Sequence, residues 1–200
     1  MMPASTRIVA ATGNAGKLAE LRALLAPREV VAQAELGVGE AEETGATFAE
    51  NALLKARNAC ACTGLAAIAD DSGLEVDALR GAPGVYSARY AGEGASGADN
   101  IRKLLRELEG VAPPMRTARF RCALVYLRGA EDESPLAGEG AWEGRIAEAP
   151  RGDGGFGYDP VFFLDEYGMT AAQLGAELKN RLSHRARALD QLRAKLRRPL

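Results

Sequence analysis

Ile8-Val9-Ala10-Ala11-Thr12-Gly13-Asn14-Ala15-Gly16-Lys17-Leu18 decides the fold class, because a short apolar run passes through a glycine-containing turn into a segment with Leu18, Leu21, Leu24 and Leu25. The run reads as a buried strand, and leucines three and four residues apart share one face of a helix. The chain therefore opens as strand, turn, helix. A turn in that place aims backbone N–H groups and the positive end of the helix at an anion, and Thr12, Asn14 and Lys17 add donors. It is not a Walker A loop, since only two residues separate Gly13 from Gly16 and Leu18 follows the lysine. Taken alone, the segment suits a triphosphate site and an ordinary strand-to-helix turn equally well.

Further along, Thr47-Phe48-Ala49-Glu50 is a capping-box pattern that starts a second helix running toward Cys62, with Asn51 and Lys55 four residues apart on one face. Ala66-Ala67-Ile68-Ala69 reads as a short apolar strand that stops at Asp70-Asp71-Ser72-Gly73. That arrangement puts two carboxylates and a hydroxyl at a strand end, where α/β sheets keep their sites. Hard oxygen ligands suit magnesium, which binds through one or two carboxylates plus substrate phosphate oxygens, and Glu42-Glu43-Thr44-Gly45 could supply a further ligand. The competing reading is a turn at Asp-Ser-Gly beside solvated glutamates, and local sequence weights the two almost evenly.

Beyond the loop signals Gly81 to Gly84 and Gly92 to Gly97, Asp99 to Leu108 returns to helical periodicity. Ala118 to Leu127 reads as a long strand that Gly138 to Ile146 can pair with, and this antiparallel pair beside βα units implies a mixed sheet. Gly152 to Gly157 feeds a strand from Val161 to Leu164, and helical stretches around Ala171 to Leu174 and from His184 to Arg197 close the chain. With 200 residues, 47% of them apolar, and no repeat or linker, the expectation is one domain over residues 1–200, in two lobes. Phe156, flanked by Gly154, Gly155 and Gly157, offers an accessible ring for stacking on a base, and His184-Arg185 could hydrogen-bond a base edge.

Composition removes several function classes. Lys and Arg number 25 against 27 Asp and Glu, so no global positive field holds a polyanion and no nucleic-acid partner is expected. The basic end Arg185, Arg187, Arg193, Lys195, Arg197 and Arg198 could serve an RNA-binding module, but such a run is more often a solvated helix face. The opening Met1 to Arg7 leads into an apolar stretch too brief for a signal-peptide core or a membrane span, so a cytoplasmic chain with no membrane association is expected. Cys60, Cys62 and Cys122 are an odd number in a chain with no expected export signal, which argues against a disulfide framework, and Cys60-x-Cys62 lacks a second Cys/His pair. His184 is the one histidine, and no G-x-S-x-G elbow accompanies a serine, which sets aside a His-rich zinc site and a serine triad.

These segments together resemble the family of non-canonical purine nucleoside triphosphate pyrophosphatases, also called inosine triphosphate pyrophosphatases, over nearly the whole chain. The matching motifs are Thr12-x-Asn14-x-x-Lys17, then Glu43-Thr44-Gly45-x-Thr47-Phe48-x-Glu50-Asn51-Ala52-x-x-Lys55-Ala56, then Ala69-Asp70-Asp71-Ser72-Gly73-Leu74. Gly81-Ala82-Pro83-Gly84-Val85-Tyr86-Ser87-Ala88-Arg89, Gly154-Gly155-Phe156-Gly157-Tyr158-Asp159-Pro160 and Ser183-His184-Arg185 follow in the same order. Each is weak alone and the ordered set is specific. The resemblance implies an α/β fold whose long mixed sheet links two lobes, with the active cleft between them, in a homodimer. It implies magnesium-dependent hydrolysis of inosine, deoxyinosine and xanthosine triphosphates to the monophosphate and pyrophosphate. By the same correspondence, Thr12, Gly13, Asn14, Ala15, Gly16 and Lys17 bind phosphates with Lys55 assisting and Asn51 nearby. Asp71 accepts a proton and holds the metal with Glu43, favoured over Glu42, and Ser72 touches substrate. Phe156, Gly157, Tyr158, Asp159, Lys179, His184 and Arg185 form the nucleoside pocket. A sanitising hydrolase for another class, such as modified pyrimidine triphosphates, is the alternative that these last motifs oppose.

Overall fold

The computed structural model describes residues 7–196. The opening residues 1–6, the expected helix end at Arg197 and the basic residue Arg198 lie outside the described residues. In chain order the elements are β1 (Arg7–Ala11), α1 (Ala15–Leu25), β2 (Glu29–Ala32), α2 (Phe48–Thr63), β3 (Ala67–Val76) and α3 (Gly97–Glu107). There follow β4 (Thr117–Leu127), β5 (Leu136–Ile146), β6 (Phe162–Leu164), β7 (Met169–Thr170), α4 (Ala176–Leu182) and α5 (His184–Leu196). The strands form one seven-stranded sheet in the order β2-β1-β3-β4-β5-β6-β7. β1 pairs in parallel with β2 and β3, and β6 pairs antiparallel with β5 and β7, so the sheet is mixed, as expected.

Two compact units divide the chain. The first draws on the residues through Asp71, Cys122–Gly140 and Arg185 onward, and the second on Ser72–Arg121 and Ala141–His184. In the first unit the pleat of β1 sorts side chains to two cores. Ile8 and Ala10 join Leu21 of α1 and Ala188, Leu189 and Leu192 of α5, whereas Val9 and Ala11 join Ala52, Ala56, Ala59 and Cys60 of α2. Alternation of period two therefore assigns a helix to each face of the sheet. The small residues of α2 let its backbone come near the strands. The second unit has its own core of Leu74, Leu104, Leu108, Phe120, Trp142, Ile146 and Phe162.

The capping box at the start of α2 is formed as the sequence predicts: Thr47 Oγ1 accepts from the Glu50 N–H, and the Glu50 carboxylate accepts from the Thr47 N–H. One expectation fails. The apolar strand does not stop at Asp70; β3 continues to Val76, with Asp70, Asp71, Ser72 and Gly73 all extended within it. The turn preference of Asp-Ser-Gly is a local effect, and here it yields to sheet pairing and to cations that make the buried carboxylates tolerable. The segment around Ala171 is a short 3₁₀ turn, Ala171–Gln173, and β2 and α4 carry too few residues to stand out as periodic patterns.

Gly138 of β5 shows how closely α5 approaches the sheet within the first unit. A Cβ there would sit 2.1 Å from the Ala188 carbonyl oxygen and 2.8 Å from the Leu192 nitrogen, both of them backbone atoms. Gly138→Ala is expected to destabilise the protein by about 1–3 kcal/mol through overpacking. Gly129→Ala, with nothing within 4 Å, serves as the control and should leave stability near wild type. Urea unfolding midpoints check both, and an unshifted midpoint for Gly138→Ala would contradict the close approach.

Candidate active site

The turn between β1 and α1 is held by its own side chains. Thr12 Oγ1 accepts from the Asn14 N–H at 3.1 Å, and Asn14 Oδ1, at the helix N-cap, accepts from the Lys17 N–H at 3.0 Å. Thr12 and Asn14 thus fix the backbone of Gly13, Ala15 and Gly16. The first turn of α1 contains no acidic residue, so its exposed N–H end keeps its positive character.

On the α2 face of β3, two side chains converge on Asp71. Asn51 Nδ2 donates to Asp71 Oδ2 at 3.3 Å, and Lys55 Nζ donates to Asp71 Oδ1 at 2.8 Å. The same ammonium pairs with Glu43 Oε1 at 2.5 Å. Asn51 also ties down the acidic loop, because its Oδ1 accepts from the Gly45 N–H at 2.8 Å. A side chain on residue 45 would meet that oxygen at 2.7 Å, which accounts for the glycine. Burial raises the Asp71 carboxyl above the ordinary carboxylate range against the pull of Lys55. Lys55 is drawn down by burial, but Asp71 and Glu43 outweigh it and the net shift is upward. Glu43 rather than Glu42 is the residue the fold brings to this cluster.

Asp70 faces the other way. Its carboxylate is fully buried and accepts from Lys17 Nζ at 2.7 Å, Arg185 Nε at 2.8 Å and Nη2 at 3.3 Å, and the Cys122 thiol at 3.0 Å. Burial opposes ionisation, but Arg185 and Lys17 hold the carboxyl well below its usual range. Arg185 Nη1 pairs with Glu20 of α1. Arg185, expected at a base edge, has no exposed surface, and these donors are directed to carboxylates. Glu20 is a site residue that sequence reasoning missed, although its spacing of three from Lys17 puts both on one face of α1, and Cys122, weighed only as a thiol, carries no signal of its contact with Asp70.

In the second unit, Asp159 Oδ2 accepts from the Phe156 N–H at 2.7 Å and from Lys179 Nζ at 2.6 Å. The Lys179 ammonium lies 4.7 Å from the centroid of the half-buried Phe156 ring. The loop needs its glycines: residue 155 has φ +71°, and a Cβ there would fall 2.1 Å from Asp159 Oδ2. Tyr158, expected among the nucleoside-binding residues, is buried with its hydroxyl donating to the Ser87 carbonyl at 2.9 Å, which makes it a tie inside the unit. His184 stacks on Phe120, with ring centroids 4.9 Å apart and planes 19° from parallel. Ser72 lies on β3 one residue past Asp71, half-buried.

Cys60 is buried and Cys62 exposed, both as free thiols. Arg193 and Lys195, weighed above as part of a nucleic-acid face, donate to the backbone carbonyls of Leu24 and Ala137. Among the described residues no helix is long and apolar enough to cross a membrane.

A protein of Xylella fastidiosa strain 9a5c named dITP/XTP pyrophosphatase is 60% identical over 189 residues, covering 94% of this chain and 95% of that protein. An Escherichia coli O157:H7 protein of the same name is 58% identical over 188 residues, covering 93% and 95%. Among solved structures, a HAM1 protein from Coxiella burnetii superposes with a TM-score of 0.85 at 48% identity, covering 95% of this chain and 98% of that one. The sequence model of the Ham1 family matches residues 8–195, and the chain belongs to that family.

Proposed function

We propose that the protein is a hydrolase that cleaves inosine, deoxyinosine and xanthosine triphosphates to the monophosphate and pyrophosphate, removing aberrant purines from the nucleotide pool. The observation that carries this reading is the cluster in which Asp71, lifted by burial, shares Lys55 with Glu43 while the anion-ready turn ends in Lys17. Relatives named dITP/XTP pyrophosphatase at 58–60% identity support the substrate class.

In this mechanism a water oxygen bonds to the α-phosphorus, the α–β bridging bond breaks, and pyrophosphate leaves with the bridging oxygen. A carboxylate with a raised pKa suits the acceptance of the water proton, and Asp71 takes that role. Lys17 and Lys55 neutralise the charge that grows on the leaving phosphates. The turn from Thr12 to Lys17 presents N–H donors to the same oxygens.

The residues fit magnesium. Glu43 and Asp71 already aim hard oxygens at one cationic nitrogen. Hard carboxylate oxygens of this kind suit magnesium, which binds through one or two carboxylates. Glu43 and Asp71 would hold Mg²⁺ there, and the ion would supply charge neutralisation on the phosphates and a more acidic water.

In the second unit Phe156 offers a face to the base, Lys179 and His184 supply donors, and Asp159 holds Lys179 in place. An ammonium donor meets O6 of hypoxanthine or xanthine but opposes the 6-amino group of adenine. Free thiols and a nucleotide substrate suit the reducing cytoplasm. Tyr86, 60% exposed on the segment Gly84–Arg89, supports a homodimer contact there.

Asp71→Asn is expected to fold normally and to lose about 10²–10⁴ in turnover or more, since removal of a general base alone costs that much. Pyrophosphate release from inosine triphosphate measures it, and near wild-type turnover would refute the assignment. Chelating magnesium with excess EDTA should abolish release and added Mg²⁺ should restore it; activity that persists in the chelator would rule the metal out. Across a panel of nucleoside triphosphates, kcat/KM for adenosine triphosphate should fall about 10⁴–10⁵ below that for inosine triphosphate. Lys179→Met should narrow the gap, and equal efficiency on the two substrates in the wild type would remove the base-edge reading.

A further inference from the structure

The mechanism uses Asp71 and leaves its neighbour Asp70 unexplained. A carboxylate this deeply buried costs several kcal/mol unless its charge is matched and its lone pairs are occupied. Arg185 alone does much of that, reaching Oδ2 through Nε at 2.8 Å and Oδ1 through Nη2 at 3.3 Å, while the Cys122 thiol donates to Oδ2. Lys17 is therefore a second cation on an anion that already has one. Its side chain retains 15% exposure, whereas those of Asp70 and Arg185 retain 0% and 1%, so the lysine is the solvent-accessible member of the three. Glu20, three residues after Lys17 on α1, closes the set by taking Arg185 Nη1. The path Lys17–Asp70–Arg185–Glu20 begins and ends on one helix.

We infer that Asp70 is a positioning residue for the hydrolysis: it holds the Lys17 ammonium at the phosphate turn, and Arg185 with Glu20 fixes the plane of the Asp70 carboxylate. The inference rests on the reading above that Lys17 meets the substrate phosphates. Lysine carries a flexible four-carbon stem, and a catalytic charge displaced by about 1 Å can cost about 10²-fold in rate. A buried carboxylate that accepts from the ammonium removes that freedom without touching substrate. Arg185 then acts on the reaction through Asp70 instead of on a base edge.

The test is a double-mutant cycle read as kcat/KM for inosine triphosphate with Mg²⁺, on wild type, Lys17→Ala, Asp70→Asn and the double variant. Asp70→Asn is expected to lower kcat/KM about 10²-fold in the wild type, and by less than about 3-fold once Lys17 is already alanine. A merely structural Asp70 would cost the same factor in both backgrounds, and that result overturns the inference, as does an Asp70→Asn enzyme with wild-type kcat/KM. If Asp70→Asn fails to fold, Arg185→Lys takes its place in the same cycle; it keeps the charge and loses the two-nitrogen grip, and its cost should likewise vanish without Lys17. A Lys17→Ala enzyme with wild-type kcat/KM overturns the phosphate reading itself and the positioning role with it, whereas a damaged Lys17→Ala with additive effects overturns the positioning role alone.

Discussion

The pleat of β3 is the constraint on which the rest of the site depends. Two consecutive carboxylates on an extended strand must point to opposite faces of the sheet, and both are buried here: Asp70 at 1% exposure and Asp71 at 5%. Neither could remain ionised inside the protein without a cation on its own face. One face is covered by α2 and the other by α1 and α5, so each helix group must deliver positive charge to a fixed point on the strand. α2 delivers Lys55, α1 delivers Lys17 and α5 delivers Arg185.

That division gives the neighbours different chemistry. Asp70, clamped by two cations, is held firmly ionised. Asp71 shares the Lys55 ammonium with Glu43 and is raised by burial, so it is the better proton acceptor. Residue type and spacing make the two look equivalent. Their environments, set by strand parity, separate them.

Much of the site was legible in the chain because its signals are local. The strand, turn and helix around Gly13 follow from one apolar run and one leucine periodicity, and the α2 cap follows from Thr47 and Glu50. Asn51 and Lys55 were placed on one face by their spacing, and that face meets Asp71. What was not legible depends on long-range neutralisation. Asp-Ser-Gly carries turn propensity, and nothing near it announces that Arg185, 115 positions away, keeps β3 extended and its carboxylate buried. His184-Arg185 read as one recognition pair, yet the helix start sends His184 against Phe120 and Arg185 to Asp70. Tyr158 was expected in the nucleoside pocket, but its hydroxyl is spent on the Ser87 carbonyl.

Lys179 is 6% exposed, with its ammonium fixed between the Asp159 carboxylate and the Phe156 ring. A free lysine carries about 2 kcal/mol of rotamer entropy. Folding has already removed that freedom, so a ligand that engages the ammonium does not have to freeze it, a saving of about 0.5–1.5 kcal/mol for each immobilised side chain. The arrangement also fixes the direction of the charge. Rigidity prepared in advance sharpens the distinction between a ligand that presents an acceptor at that point and one that presents a donor, because moving the ammonium to accommodate the wrong one would break its contact with Asp159.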